Sequence, residues 1–224
     1  MDENQNNCEQ LKELLIERIR AFPCEGFIGN DGFLKILMAD EISTEQSSVL
    51  ASNGQIYQDY LPSSFKVNNL DSIMHIEKPR NWSYLHIYFI LKDNNVSLLF
   101  WFNNDNENAN HSSFDDSSVY ILDREDLIFD MNDVANYGRY IDAFEDYYLN
   151  IAKYGNITTY ITYPMSKINN NFIRYGSCFF LRGGRFYNGS VRPNLMLEIL
   201  RINCNVPTIS TGRFAHFDMG DLRP

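Results

Sequence analysis

Residues 84–102 read YLHIYFILKDNNVSLLFWF, two apolar runs separated by three polar residues. Tyr84–Lys92 and Val96–Phe102 are rich in aromatic and β-branched side chains, and the intervening DNN consists of residues that favour tight turns. The pattern predicts a β-hairpin with a short polar loop. Because both runs are almost wholly apolar at their centres, we expect the hairpin to lie in a sheet that is covered on both faces or central in the fold.

Further elements are predicted on both sides of this hairpin. Apolar residues at helical spacing predict an N-terminal helix at Glu9–Phe22 and a central helix at Val134–Tyr154. A short helix is predicted to begin near Ser43 and to end before the turn residues Asn53 and Gly54. The strand candidates are Phe33–Ala39, Val119–Leu122, Leu127–Phe129, Ile157–Tyr163, Phe172–Leu181 and Leu195–Ile202, the last of which is also compatible with a short helix.

The order of these elements predicts an α+β fold. Helices and strands do not alternate strictly, which favours a mainly antiparallel β-sheet with the N-terminal helix and the central helix packed on it. No internal repeat and no Pro-rich or Gly/Ser-rich linker divides the chain, so we expect residues 1–224 to form a single globular domain. The tail after Pro207 is predicted to be irregular.

Composition and termini favour a soluble cytoplasmic protein. The chain begins MDEN, without the basic and apolar regions of a secretory signal, and its longest apolar run is far shorter than the ~20 residues that span a bilayer. The four cysteines form no CxxC pair and are too sparse for a disulfide scaffold. We expect reduced thiols and no contact with a membrane.

Charge is segregated along the chain. Asn104–Asp146 holds twelve acidic residues against two arginines, a net charge of −10, which equals that of the whole chain. From Ser166 to the end, eight cations oppose three acids, a net charge of +5. The acidic run is typical of a solvated surface, or of a face that attracts a basic partner. Its tyrosines are typical of a binding surface and equally of a helix that covers a sheet.

The leading hypothesis is an acidic, non-enzymatic protein that docks on a basic protein partner and inhibits it. Immunity proteins and phage-type inhibitors act in this way. The candidate partner-binding residues are Asp115, Asp116, Asp123, Glu125, Asp126, Asp130, Asp133, Tyr137 and Tyr140. A pI near 4.8 opposes binding to duplex nucleic acid. No metal and no cofactor is predicted, and the oligomeric state is left open.

The Arg-rich C-terminal third supports an alternative, an enzyme or sensor that binds a nucleotide or another phosphorylated ligand. Arginine pairs with phosphate, glycines let backbone amides approach an anion, and aromatic rings stack on bases. The candidate ligand-binding residues are Arg174, Arg182, Gly183, Gly184, Arg185 and Arg192. A hairpin turn at the two glycines explains the same pattern.

Two clusters of polar residues carry weaker predictions. His111, Asp115 and Asp116 combine ligand types that suit a divalent metal, but such residues also gather in solvated loops. Asp218 lies two residues after His216, a spacing at which its carboxylate could orient the imidazole to act as a general base. The neighbouring apolar residues also suit a terminal strand.

The remaining chemically active residues are predicted to be structural. His75 and His86 lie in apolar stretches, where we expect strand histidines with satisfied hydrogen bonds. Cys178 lies in an apolar run, where burial makes a thiol inert. No GxSxG, HExxH, P-loop or kinase motif occurs, so the sequence identifies no reaction and favours a protein that is not an enzyme.

Overall fold

The computed structural model describes residues 41–42, 44–77, 80–105, 114, 118–151, 158–165, 168, 178–187, 190–200, 214–217 and 221–223. The predicted helix at Glu9–Phe22 and the predicted strand at Phe33–Ala39 lie outside these residues. The expectation of one domain over residues 1–224 therefore stays a prediction.

The described residues form an α+β fold with two antiparallel sheets, as the sequence predicts. The strands are β1 (Glu41–Ile42), β2 (Ser64–Val67), β3 (Tyr84–Lys92), β4 (Asn95–Asn103), β5 (Val119–Asp123), β6 (Asp126–Ile128), β7 (Tyr160–Pro164), β8 (Cys178–Tyr187), β9 (Ser190–Leu200), β10 (Phe214–Phe217) and β11 (Asp221–Arg223). The helices are α1 (Thr44–Gly54), α2 (Leu70–Glu77) and α3 (Tyr137–Ile151), with 3₁₀ turns at Gln55–Tyr57 and Val134–Asn136. One sheet has the order β1-β10-β9-β8-β2, and the other β11-β7-β3-β4-β5-β6.

The predicted hairpin is confirmed as β3 and β4, at the centre of the six-stranded sheet. Its loop is shorter by one residue than predicted, because Asn95 pairs with Lys92 and begins β4. Asp93 and Asn94 have φ angles of 51° and 60°, the left-handed conformation that a two-residue hairpin turn of this type requires and that Asp and Asn tolerate. Residues 85–90 and 98–103 are all buried, so the sheet is covered on both faces here.

The five-stranded sheet covers one face of this hairpin. Phe180 of β8 packs edge-on against Phe100 of β4, with 5.6 Å between ring centroids, and against Tyr163 of β7 at 6.1 Å. The Tyr163 hydroxyl donates a hydrogen bond of 3.0 Å to the carbonyl of Leu195 in β9. The main hydrophobic core therefore lies between the two sheets.

The central helix, α3, contacts both faces of the six-stranded sheet. Tyr137 and Ile141 belong to the cluster on the outer face, whereas Phe144 and Tyr148 belong to the core between the sheets. Phe144 stacks on Phe89 of β3 with 5.3 Å between ring centroids. The predicted packing of the central helix on the sheet is confirmed, and the helix borders β3.

Three glycines have a role that the sequence did not predict. The helix α1 continues through Gly54, whose φ and ψ of −70° and −12° are helical, so the predicted turn at Asn53 and Gly54 is wrong. Gly183 and Gly184 lie inside β8, opposite Asn194 and Pro193 of β9, so a hairpin turn at these glycines is wrong as well. A Cβ at Gly54 would lie 2.7 Å from the carbonyl carbon of Gly183. The glycines therefore allow the backbones of α1 and β8 to approach closely.

The structure corrects two further predictions from sequence. The tail after Pro207 contains β10 and β11, which pair with β9 and β7. Such short strands are ordered by their partners, which a local pattern does not reveal. The helix α2 was not predicted, and it places His75 on an exposed helical surface rather than on a strand. No described helix is both long and apolar enough to cross a membrane.

Replacing Gly54 with Ala is expected to destabilise the fold. Alanine is favoured over glycine in a helix by ~1 kcal/mol. The added Cβ, however, meets the β8 backbone, and overpacking of this kind costs roughly 1–3 kcal/mol. The free energy of unfolding from urea denaturation should therefore fall for Gly54→Ala. The free energy of unfolding of the matched exposed variant Ser52→Ala should equal or slightly exceed that of the wild type. A Gly54→Ala variant more stable than the wild type would contradict the close contact.

Candidate functional site

The turn between β5 and β6 places two carboxylates opposite each other. Asp123 and Asp126 are register partners that flank the two-residue turn Arg124-Glu125, and all four residues are exposed. Residues directly opposite in an antiparallel pair point to the same face, with Cβ atoms about 4.5–5.5 Å apart, and like charges there destabilise the pair. None of the ion pairs among the described residues joins Arg124 to either aspartate.

Arg124 adds a second unfavourable feature to this turn. Its φ angle is 57°, in the left-handed region that glycine favours and that a side chain with a Cβ rarely adopts. Backbone conformations of this kind cluster at binding and catalytic sites, where the surrounding structure holds them in place. The turn is therefore strained in its backbone as well as repulsive in its charge.

Glu125 holds this turn to β2 and to Asn68, the residue that follows β2. Its carboxylate accepts hydrogen bonds from Lys66 Nζ at 2.6 Å and from Asn68 Nδ2 at 3.1 Å. The backbone carbonyl of Glu125 accepts a hydrogen bond of 2.7 Å from the backbone amide of Asn68. The hydrogen bond from Lys66, followed by that from Asn68, lowers the pKa of the Glu125 carboxyl. Glu125 is therefore engaged within the chain, although it is exposed.

Asn69 covers the outer edge of β6, the last strand of the six-stranded sheet. Its Nδ2 donates to the Leu127 carbonyl at 2.8 Å, and its Oδ1 accepts from the Leu127 amide at 2.7 Å. The side-chain amide thus takes the place of a neighbouring strand. Because open edge groups invite another strand to pair, Asn69 blocks strand addition at Leu127.

The chain that follows β6 exposes large apolar side chains. Ile128, Phe129 and Met131 are 39%, 40% and 75% exposed. We call these three residues the apolar tract. Asp126 precedes the tract and Asp130 lies within it, so apolar and acidic residues are adjacent along the chain.

Asp133 and Tyr140 join the end of the β3–β4 hairpin to the start of α3. Asp133 accepts hydrogen bonds from Lys92 Nζ at 2.5 Å, from the Tyr140 hydroxyl at 2.8 Å and from Asn136 Nδ2 at 3.0 Å. Desolvation opposes ionisation of Asp133, but these hydrogen bonds outweigh it and lower the pKa of its carboxyl. The hydrogen bond to Asp133 raises the pKa of Lys92, whose ammonium lies 5.3 Å from the Tyr140 ring centroid.

The structure separates the predicted partner-binding residues into several groups. Asp115 and Asp116 lie outside the described residues. Tyr137 is fully buried and donates a hydrogen bond of 3.3 Å to the Asp130 carbonyl, so its ring serves the core. Glu125 and Asp133 form ion pairs with Lys66 and Lys92. Asp123 and Asp126 remain as exposed acids at one turn, and partner binding by this set stays a prediction.

The Arg-rich region packs against α1 and the loop before β2. The Arg182 guanidinium donates a hydrogen bond of 2.9 Å to the Leu61 carbonyl. The backbone amide of Arg182 donates one of 3.0 Å to the Ser63 carbonyl. Gly183 and Gly184 are buried beneath α1. Arg192 is half-buried, whereas Arg174 and the side chain of Arg185 lie outside the description. Ligand binding here stays a prediction.

His86 is a buried histidine with satisfied hydrogen bonds, as predicted. Its Nε2 lies 2.8 Å from Asn103 Oδ1 and 2.9 Å from the Asp105 carbonyl, two acceptors that require Nε2 to carry the proton. Its Nδ1 lies 2.9 Å from the Thr162 hydroxyl. These contacts tie β3 to β4 and β7, which explains a polar residue inside the sheet.

Glu77 is a fully buried carboxylate that the sequence did not reveal. It accepts hydrogen bonds of 2.7 Å from the Trp82 indole and the Tyr120 hydroxyl, and Arg80 lies 3.5 Å away. Desolvation, then the hydrogen bond to Glu77, raises the pKa of Tyr120. With two aromatic donors and a cation, Glu77 anchors the end of α2 to β5.

The described residues contain no group of three or more His, Cys, Asp or Glu side chains that could hold a metal ion. His111, Asp115, Asp116 and Asp218, and the side chains of His216 and Cys178, lie outside the description.

Comparison of the chain with protein-family models, with curated proteins and with solved structures finds no match. A function for this chain therefore rests on the geometry of its own residues.

Removing the Asp133 carboxylate is expected to destabilise the fold in a pH-dependent way. At neutral pH, the free energy of unfolding of Asp133→Asn should be about 1 kcal/mol lower than that of the wild type, because a partly buried charge-assisted pair is lost. Because the pKa of Asp133 is lower in the folded state, its ionised carboxylate stabilises the fold at pH values above the ordinary carboxyl pKa of about 3.9. This stabilisation is lost as the pH falls through the folded-state pKa. The difference from wild type should therefore be constant between about pH 5 and 7 and shrink below about pH 4 in urea titrations.

The companion variant Lys92→Met removes the same ion pair and controls this interpretation. It should reproduce much of the loss, and the double variant should lose less than the sum of the single variants. Strict additivity would show that the two side chains do not stabilise each other.

Neutralising one of the opposed aspartates is expected to stabilise the chain. Asp126→Asn should raise the free energy of unfolding by roughly 0.2–1 kcal/mol, because it removes a like-charge pair across the turn. The gain should diminish as salt screens the repulsion. Asp59→Asn, at an exposed site outside the acidic segment, should change stability by less. A less stable Asp126→Asn at low salt would contradict the repulsion.

Proposed function

We propose that this chain is a non-enzymatic binding protein that docks on a basic protein through the β5–β6 turn and inhibits it, as immunity proteins and phage-type inhibitors do. The observation that supports this is the opposition of Asp123 and Asp126 at an exposed turn. The reduced thiols expected from the cysteine pattern support a cytoplasmic location as part of this proposal.

The turn is unfavourable for folding but suited to a cationic partner. Two facing carboxylates repel each other in the free protein, and Arg124 adds backbone strain. A lysine or arginine of a partner placed between the carboxylates would replace this repulsion with attraction. Departures from local folding rules of this kind are expected where a surface serves function rather than stability.

The charge of the whole chain supports the same proposal. A net charge of −10 attracts a cationic protein over long range and repels acidic competitors. Fields of this kind raise association rates by roughly 10- to 1000-fold and weaken as salt rises. The two lysines that engage Glu125 and Asp133 leave Asp123 and Asp126 available for such contact.

The Arg-rich region does not add a second candidate. The described contacts of Arg182 and the two buried glycines are those of a strand packed beneath a helix. No described contact there favours a nucleotide over this packing role.

The test is capture of a partner from cells of the native host. The immobilised chain should retain a basic protein, and retention should fall at least tenfold for Asp123→Lys/Asp126→Lys and decrease with rising salt. The matched variant Glu45→Lys/Asp59→Lys changes the net charge equally at exposed acids elsewhere and should keep most of the capture. Adding the chain to the purified partner should inhibit the partner's activity.

Three outcomes would count against the proposal: equal capture by the turn variant and the wild type, an equal loss in both double variants, or an acidic partner. Circular dichroism and thermal melting of each variant would show that lost capture does not reflect lost folding.

A further inference from the structure

Hydrogen bonds from β2 and the residues after it hold the β5–β6 turn from one side. Lys66 Nζ and Asn68 Nδ2 donate to the Glu125 carboxylate at 2.6 and 3.1 Å, and the Asn68 backbone amide donates to the Glu125 carbonyl at 2.7 Å. The next residue, Asn69, bonds both backbone groups of Leu127 in β6. We call Lys66 and Asn68 the tether.

The turn has two features that would loosen it without such contacts. Asp123 and Asp126 are register partners, and like charges directly opposite each other destabilise a strand pair. Arg124 has a φ angle of 57°, a strained conformation for a residue with a Cβ. Conformations of this kind persist where the surrounding structure over-determines them. The three hydrogen bonds from the tether to Glu125 are contacts of that kind.

The charge of Lys66 has the wrong sign for attracting a cationic partner. A lysine beside an acidic turn reduces the negative potential there and so opposes the approach of another cation. Its ammonium pairs with Glu125, and its side chain is 35% exposed. A contribution of Lys66 to docking must therefore come from the conformation that it imposes on the turn.

We infer that Lys66 and Asn68 are positioning residues, which act on the docking turn through Glu125. They hold Asp123 and Asp126 opposite each other before the partner arrives, so that one lysine or arginine side chain contacts both carboxylates. A turn that is fixed beforehand loses little conformational entropy on binding. The inference rests on the proposed function for the contact itself and adds how the docking surface is preorganised.

The variant Lys66→Met separates positioning from charge, because the two effects have opposite signs. It makes the chain more acidic by one charge, which by itself strengthens the attraction of a cation. Loss of the tether should instead weaken binding by about two- to fivefold, the ratio to which an exposed ion pair corresponds. The matched control Arg139→Met changes the net charge equally at an exposed site on α3. It should bind as tightly as the wild type or more tightly.

Nuclear magnetic resonance of the nitrogen-15-labelled chain at low salt provides both measurements. The probe is a short blocked peptide with one lysine and one arginine between glycines. Shifts of the backbone amides of residues 123–126 give the Kd at the turn itself, and Asp123→Asn/Asp126→Asn should abolish them. The heteronuclear Overhauser effect at Arg124 and Glu125 reports the order of the turn without any peptide. Lys66→Met should lower both this order and the affinity, and Lys66→Arg should restore most of both.

Asn68→Ala is a second variant that leaves the net charge unchanged. It removes the side-chain donor to Glu125 and keeps the backbone hydrogen bond. The order of the turn and the affinity for the peptide should both fall, as in Lys66→Met. Unchanged amide shifts along α3 would show that each variant retains its fold.

The outcomes separate this inference from the proposed function. If Lys66→Met leaves the order of the turn unchanged or binds the peptide more tightly, positioning is refuted while acidic docking stands. A looser turn with unchanged affinity would also refute it, because the tether would then serve the fold alone. If the peptide shifts none of the amides of residues 123–126 in the wild type, acidic docking fails, and positioning for docking fails with it.

Discussion

Burial of the β3–β4 hairpin on both faces is the constraint on which the rest of the structure depends. A strand pair whose central residues are almost all apolar cannot leave either face in water, since each exposed large side chain would forgo roughly 1.5–3 kcal/mol. The five-stranded sheet covers one face through Phe180, and the first half of α3 covers the other through Tyr137 and Ile141. The order of layers follows from this requirement.

Glycines and a side-chain amide supply close backbone contacts and edge hydrogen bonds that apolar side chains cannot make. Gly54 and Gly183 bring a helix and a strand to backbone contact, and the amide of Asn69 occupies the outer edge of β6. Buried His86 and Glu77 have their hydrogen bonds satisfied by neighbouring strands and aromatic donors. Against this background of satisfied groups, the β5–β6 turn is different, because it keeps repulsion and backbone strain at the surface.

The acidic segment consists of carboxylates with different physical roles. Glu125 and Asp133 each bind a lysine and tie separate elements together, so they belong to the fold. Asp123 and Asp126 are opposite each other at the exposed turn, and no ion pair of the described residues includes either of them. Docking on a basic partner is proposed from this second group, whose opposed charges do not stabilise the turn.

The sequence by itself determined the α+β class, the central hairpin, the short strands at β5 and β6 and the helix α3, because each follows from a local periodicity or a local turn preference. It also located the acidic segment. Only the tertiary structure decided that Gly54 meets Gly183, that Tyr137 is buried, that the tail supplies β10 and β11, and that Asp123 faces Asp126. These depend on which residues become neighbours and on turn geometry at Arg124-Glu125, a pair without turn preference. Spacing along the chain does not encode such pairings.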